Sequence, residues 1–112
     1  MTQPTPSSTI VEIRTTFSAR AAAEACAARL VRDRLAACVQ VEGPIVSTYR
    51  WRGSVETAEE WRCVCKTTPG RATDCRTALA AGHPYEVPEV MEARVESSAA
   101  YAAWVRDSVG DA

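Results

Sequence analysis

Apolar and polar positions change period several times along the chain, and each change marks an element. In Ile10-Val11-Glu12-Ile13-Arg14-Thr15, Val11 and Ile13 fall on one face, which predicts a first strand. Thr16-Phe17-Ser18 ends it, with Ser18 placed to cap a helix. Over residues 19–34 the period becomes helical: Ala23, Ala27, Leu30 and Val31 form a stripe in an alanine-rich run. Residues 37–51 return to strand period, with Val39 and Val41 alternating with Gln40 and Glu42. Gly43-Pro44 interrupts that alternation. Proline has no N–H to give to a ladder, so a bulge or a sheet edge is expected there. Arg52-Gly53-Ser54 predicts a turn, and residues 60–67 a third strand running back to complete a long hairpin. Thr68 and Pro69 open a second helix as cap and first residue. Ala72, Cys75 and Leu79 form its apolar stripe, and Gly82 ends it. Residues 90–95 read as the fourth strand. Ser97 or Ser98 caps a last helix in which Tyr101, Trp104 and Val105 share a face.

The order strand-helix-strand-strand-helix-strand is that of a split βαβ, or ferredoxin-like, α+β domain. Two helices cover one face of an antiparallel sheet, and one short helix remains for the other. Packing against further subunits would supply the missing cover, so an oligomer is expected. The domain takes in residues 9–112; residues 1–8, rich in Thr, Pro, Ser and Gln, read as a disordered tail.

Composition narrows the function classes. The chain has 112 residues, enough for one domain. Thirteen basic and 14 acidic residues leave a net charge of −1, which argues against a dedicated nucleic-acid binder. No apolar run is long enough to span a bilayer, and the first residues lack the basic and apolar regions of a signal peptide. A cytoplasmic protein is expected. Cys26, Cys38, Cys63, Cys65 and Cys75 are an odd set without a Cys-x-x-Cys pair, which suggests free thiols and not a zinc ribbon or disulfide framework.

Four features could carry chemistry. His83, the only histidine, could ligate a metal or act as a base; a loop histidine bonded to backbone is the alternative. Pro84 and Pro88 bracket Tyr85-Glu86-Val87 and stiffen the loop, which either aims Tyr85 and Glu89 or merely guides the chain into the next strand. Cys63 and Cys65 face the same way on a strand and could bind a soft ion, or simply fill the core. Glu59, Glu60 and Lys66 could hold an anion or pair across a subunit boundary, or be solvated. No phosphate loop, nucleophile elbow or Ser/His/Asp arrangement can be assembled, and an enzyme is not expected.

The ordered set Leu35-Ala36-Ala37-Cys38-Val39, Ser47-Thr48-Tyr49-Arg50-Trp51-Arg52-Gly53, Lys66-Thr67 and His83-Pro84-Tyr85-Glu86-Val87-Pro88-Glu89 resembles the CutA divalent-cation tolerance family, with Tyr101 and Trp104 also fitting. The resemblance covers about residues 10–106. It implies a homotrimer similar in architecture to PII signalling proteins, with long hairpins extending neighbouring sheets. It further implies a role in the response to metal ions, with copper or another divalent cation as ligand. Cys38 and His83 are the implied metal contacts; Tyr49, Trp51, Glu59, Lys66, Tyr85 and Glu89 are implied for a cleft between subunits. Two departures stand out: no cysteine occurs in the first strand, and Cys63 and Cys65 occupy positions that are more often aliphatic in relatives. A PII-like small-molecule sensor, or a structural trimer without metal chemistry, is the alternative reading.

Overall fold

In the computed structural model, which describes residues 7–111, strand β1 (Thr9–Phe17) leads into helix α1 (Arg20–Arg32). A hairpin of β2 (Cys38–Trp51) and β3 (Ser54–Thr67) follows. Helix α2 (Ala72–Ala81), strand β4 (Met91–Glu96) and helix α3 (Ala99–Val109) complete the chain. The sheet order is β2-β3-β1-β4, every neighbouring pair being antiparallel. This is the expected α+β, ferredoxin-like plan. Of the tail expected over residues 1–8, residues 1–6 lie outside the described residues. The Ser8 carbonyl accepts from the Ser97 N–H at 2.9 Å.

Alternation of side chains across the strands assigns the two faces. Val11, Ile13 and Phe17 of β1 and Cys63 and Cys65 of β3 point to the side covered by α1 and α2. There they bury Ala23, Cys26 and Leu30 from α1 and Cys75 and Leu79 from α2. Each large aliphatic side chain buried this way contributes about 1.5–3 kcal/mol. Thr15 shares this face, is fully buried, and its Oγ1 has no hydrogen-bond partner among the described residues. On the other face, α3 packs Ala102 and Val105 against Ile10.

The rest of that second face, expected to be covered by further subunits, carries charge. Glu12 accepts from Arg14 at 3.2 Å and pairs with Lys66 at 3.3 Å, and Arg62 reaches Glu42 at 3.5 Å. Uncovered apolar groups cluster on the hairpin, where Val46 is 74% and Val55 63% exposed, with others at Val31, Val87, Met91 and Trp104.

Several local expectations shift. Helix α1 starts one residue later than the run predicts, with Ala19 at its N-cap and no side-chain cap; Ser18 does not fill that role. Its buried stripe is Ala23, Cys26 and Leu30, while Val31 is exposed. Helix α2 begins at Ala72, not at Pro69. Thr68 closes the preceding turn, its Oγ1 accepting from the Arg71 N–H at 3.2 Å. In α3 the buried stripe is Ala102, Val105 and Val109, leaving Trp104 exposed, and Ser98 caps through the Tyr101 N–H. The break at Gly43-Pro44 is a register shift between Glu42 and Ile45 on the edge strand β2. Strand β3 starts at Ser54, six residues before the predicted residue 60, so both hairpin strands have 14 residues.

Candidate functional site

The loop over residues 83–89 folds back onto the sheet through its histidine. The His83 ring stacks on Phe17, with centroids 4.5 Å apart and planes 12° apart. Its Nε2 contacts the Thr16 carbonyl at 2.9 Å, and its Nδ1 accepts from the Tyr85 N–H at 3.1 Å. A carbonyl needs a donor and an N–H needs an acceptor, so these partners select the tautomer protonated at Nε2. Both ring nitrogens are engaged, and a metal at this ring has to displace a backbone partner.

That anchoring aims Tyr85. Its hydroxyl donates to Glu60 Oε2 at 2.7 Å. Glu60 is only 9% exposed, yet its carboxyl is held below the usual carboxylate range. Burial opposes ionisation, but hydrogen bonds from Ser47, Tyr85 and Thr16 and the charge of Arg62 outweigh it. Burial and the adjacent Glu60 carboxylate push the Tyr85 phenol up to about 12.

Tyr85 and Glu60 belong to a cavity of about 680 Å³ between the loop and the hairpin. Tyr49 and Trp51 supply its aromatic wall, and Glu86 and Glu89 line its loop side. Four of the expected cleft residues, Tyr49, Trp51, Tyr85 and Glu89, therefore come together. Glu59 and Lys66 are not part of this lining. Glu59 follows Ala58 and precedes Glu60, both of which line the cavity, so alternation turns it to the opposite face. Lys66 is occupied with Glu12 near the far end of β3, opposite Cys38 in the register. Glu60, grouped in the sequence with Glu59 and Lys66 but absent from the implied cleft set, is the lining carboxylate that set lacked. Its parity with Arg62, opposite to that of the core residues Cys63 and Cys65, is the signal that separates it from Glu59.

Cys38 and His83 are not neighbours within one chain. Cys38 pairs with Lys66, whereas His83 stands over Phe17, which pairs with Trp61. Five register positions separate those points on β3, roughly 15 Å at strand rise. Among the described residues, no three His, Cys, Asp or Glu side chains are grouped to hold a metal ion. Cys38 is the one cysteine with solvent access; the other four are buried free thiols. Within the core, a hydrogen bond from Cys63 holds the Cys26 thiol down at about 7 against the effect of burial, while Cys63 itself is pushed up.

The fold and site define a ferredoxin-like domain with an aromatic and acidic cleft beside an overlong hairpin. The sequence profile of the CutA1 divalent ion tolerance protein family matches residues 11–108, and the chain belongs to that family. The divalent-cation tolerance protein CutA of Thermus thermophilus is 36% identical over 89 residues, which are 79% of this chain and 86% of the relative. The crystal structure of CutA from Xylella fastidiosa superposes with a TM-score of 0.86 at 35% identity, over 89% of this chain and 97% of that one. A CutA structure from Synechococcus elongatus, complexed with a Bis-Tris molecule, superposes with a TM-score of 0.82 at 33% identity, over 91% of this chain and 95% of that one.

Proposed function

We propose that the chain serves divalent-cation tolerance as a homotrimer that binds its ligands at clefts between subunits, without catalysing a reaction. The hairpin carries this reading. Strands of 14 residues extend about 45 Å at strand rise, and the molecule is 61 Å long but only 24 by 21 Å across. Val46, Val55, Tyr49 and Trp51 stand exposed on this arm. Exposed apolar groups on a long edge hairpin invite pairing with another chain. Neighbouring subunits would cover them and close the open side of the 680 Å³ cavity. Sedimentation equilibrium tests the assembly: a trimer at micromolar concentration is expected, and a monomer overturns it.

Copper or another divalent cation is the ligand proposed for Cys38; because His83 is not its neighbour within one chain, His83 can serve as second contact only across a subunit boundary, where the ring gives up one backbone partner. Solvent access at Cys38 supports this, since a soft ion needs a reachable thiolate. Titration of the reduced protein with Cu(I) and with Cu(II), with Cys38→Ser and His83→Ala beside it, decides the point; unchanged stoichiometry and affinity in both variants overturn the assignment. The cavity favours small-molecule sensing as a second reading. Its volume lies in the range of small-ligand sites, and the Bis-Tris complex of the Synechococcus elongatus relative supports it. A location in the cytoplasm accords with five free thiols.

A further inference from the structure

We propose that the cleft between the hairpin and loop 83–89 takes a small organic cation, a protonated or quaternary amine, seated against Trp51 and Tyr49 and neutralised by Glu60 and Glu89. This rests on the reading of that cavity as a ligand cleft and adds the chemistry of the ligand.

The lining is one-sided. It holds three carboxylates, of Glu60, Glu86 and Glu89, and three aromatic rings, of Tyr49, Trp51 and Tyr85, but no Lys, Arg or His. Glu60 is the deepest of the carboxylates, nine-tenths removed from solvent. A buried carboxylate is costly without a compensating charge, and the nearest cation on its own strand, Arg62, is shared with Glu42 on the neighbouring strand. An anionic ligand would meet repulsion from all three carboxylates, with only neutral hydroxyls, those of Thr16, Ser18, Ser47 and Thr48 among them, to receive it. A neutral one would gain nothing from the carboxylates, leaving Glu60 held by its internal hydrogen bonds and Arg62 alone. A cation gains both the carboxylates and the negative faces of the rings.

The chain already shows this recognition on itself. Arg52, at the hairpin turn, lies over the Trp51 ring with its Cζ 5.2 Å from the centroid and donates to Glu86 Oε2 at 2.7 Å. That is an organic cation held between an aromatic face and a carboxylate at the rim of the same cavity. Both partners of the ion pair are largely exposed, at 70% and 68%, so the latch is weak and easily displaced. A bare divalent metal fits less well. It demands several oxygen ligands within a tight shell, and among the described residues no three acidic, His or Cys side chains converge to supply them. Carboxylates spread around a cavity of about 680 Å³ suit a cation several atoms across.

Calorimetric titration of the full chain, with its oligomeric state fixed by light scattering, tests the idea with three probes. These are choline, its neutral isostere in which a tert-butyl group replaces the trimethylammonium, and acetate. Choline is expected to bind saturably, the isostere at least roughly tenfold more weakly, and acetate not at all. Trp51→Leu and Glu60→Gln should each weaken choline by roughly tenfold, and Arg52→Ala should strengthen it by removing the internal competitor. If Glu60→Gln fails to fold, Glu89→Gln at the exposed rim takes its place. Equal binding of choline and the isostere, or preference for acetate, overturns the cation while leaving a ligand cleft. Absence of binding for all three probes overturns the cation and the cleft together.

Discussion

His83 lies flat on Phe17 at 4.5 Å, and in that position its two nitrogens tie the strand end at Thr16 to the loop at Tyr85. The ring is a post between sheet and loop. Replacing it with alanine removes a stacked contact and two hydrogen bonds. His83→Ala should cost about 1–3 kcal/mol of stability, read by urea denaturation. Because the ring aims Tyr85, the variant should also release the phenol from Glu60. A stability unchanged within error would refute the role of post.

Solvent access separates the five thiols. Titration of the native, reduced protein with an aromatic disulfide reagent should modify Cys38 first, with Cys26, Cys63, Cys65 and Cys75 reacting only after denaturation. The acidity of Cys26, near 7, tests whether access or ionisation rules. Its exposure is 5%, so it should stay protected below its unfolding transition. Two fast-reacting thiols in the native protein would show that the α1–sheet contact opens locally.

Thr15 places a hydroxyl without a partner among the described residues in the core, at 0% exposure. Valine has nearly the same shape and no polar atom. Thr15→Val should stabilise the fold by about 1 kcal/mol, seen as a raised urea midpoint with unchanged slope. Destabilisation by a similar amount would mean that the hydroxyl has a partner after all.

Glu60 and Tyr85 set opposite limits on the pH range. Glu60 has a folded pKa below its usual 4.5, so its contribution is present above pH 4.5 and lost as pH falls through the lower folded value. Tyr85 stays neutral in the folded state up to about 12, above its ordinary 10. Its contribution is full below pH 10 and lost as pH rises toward 12. Melting temperatures measured across pH should fall less steeply in acid for Glu60→Gln and less steeply in alkali for Tyr85→Phe. Parallel curves for both variants and the parent would disprove the linkage.

Much of the fold was legible because period and breakers agreed. Val11 and Ile13 alternate, Ala72, Cys75 and Leu79 repeat at helical spacing, and Gly43-Pro44 sits where the β2–β3 register shifts. The misses were tertiary. Val31 is apolar and in phase with Ala27, yet only the position of the sheet decides that Cys26 and not Val31 faces the core. Thr68 and Pro69 suit a helix start, but the hydrogen bond from the Arg71 N–H to Thr68 closes a separate turn first. In the cleft, Tyr49, Trp51, Tyr85 and Glu89 could be gathered from the sequence, while Glu60 could not be told from Glu59 without the strand's facing. The separation of Cys38 from His83 depends on register across β2, β3 and β1, which no local pattern encodes.

Four reduced sulfurs sealed between the sheet and helices α1 and α2 tie the lifetime of this fold to the redox state of its surroundings. While the core is closed, Cys26, Cys63, Cys65 and Cys75 are shielded from oxidants. Each global opening exposes all of them at once on a flexible chain, where thiols pair with whichever partner they meet. In a reducing medium the chain closes again unchanged. In an oxidising one, mispaired bridges trap it open, and a reversible unfolding equilibrium turns into one-way loss at a rate set by the opening step.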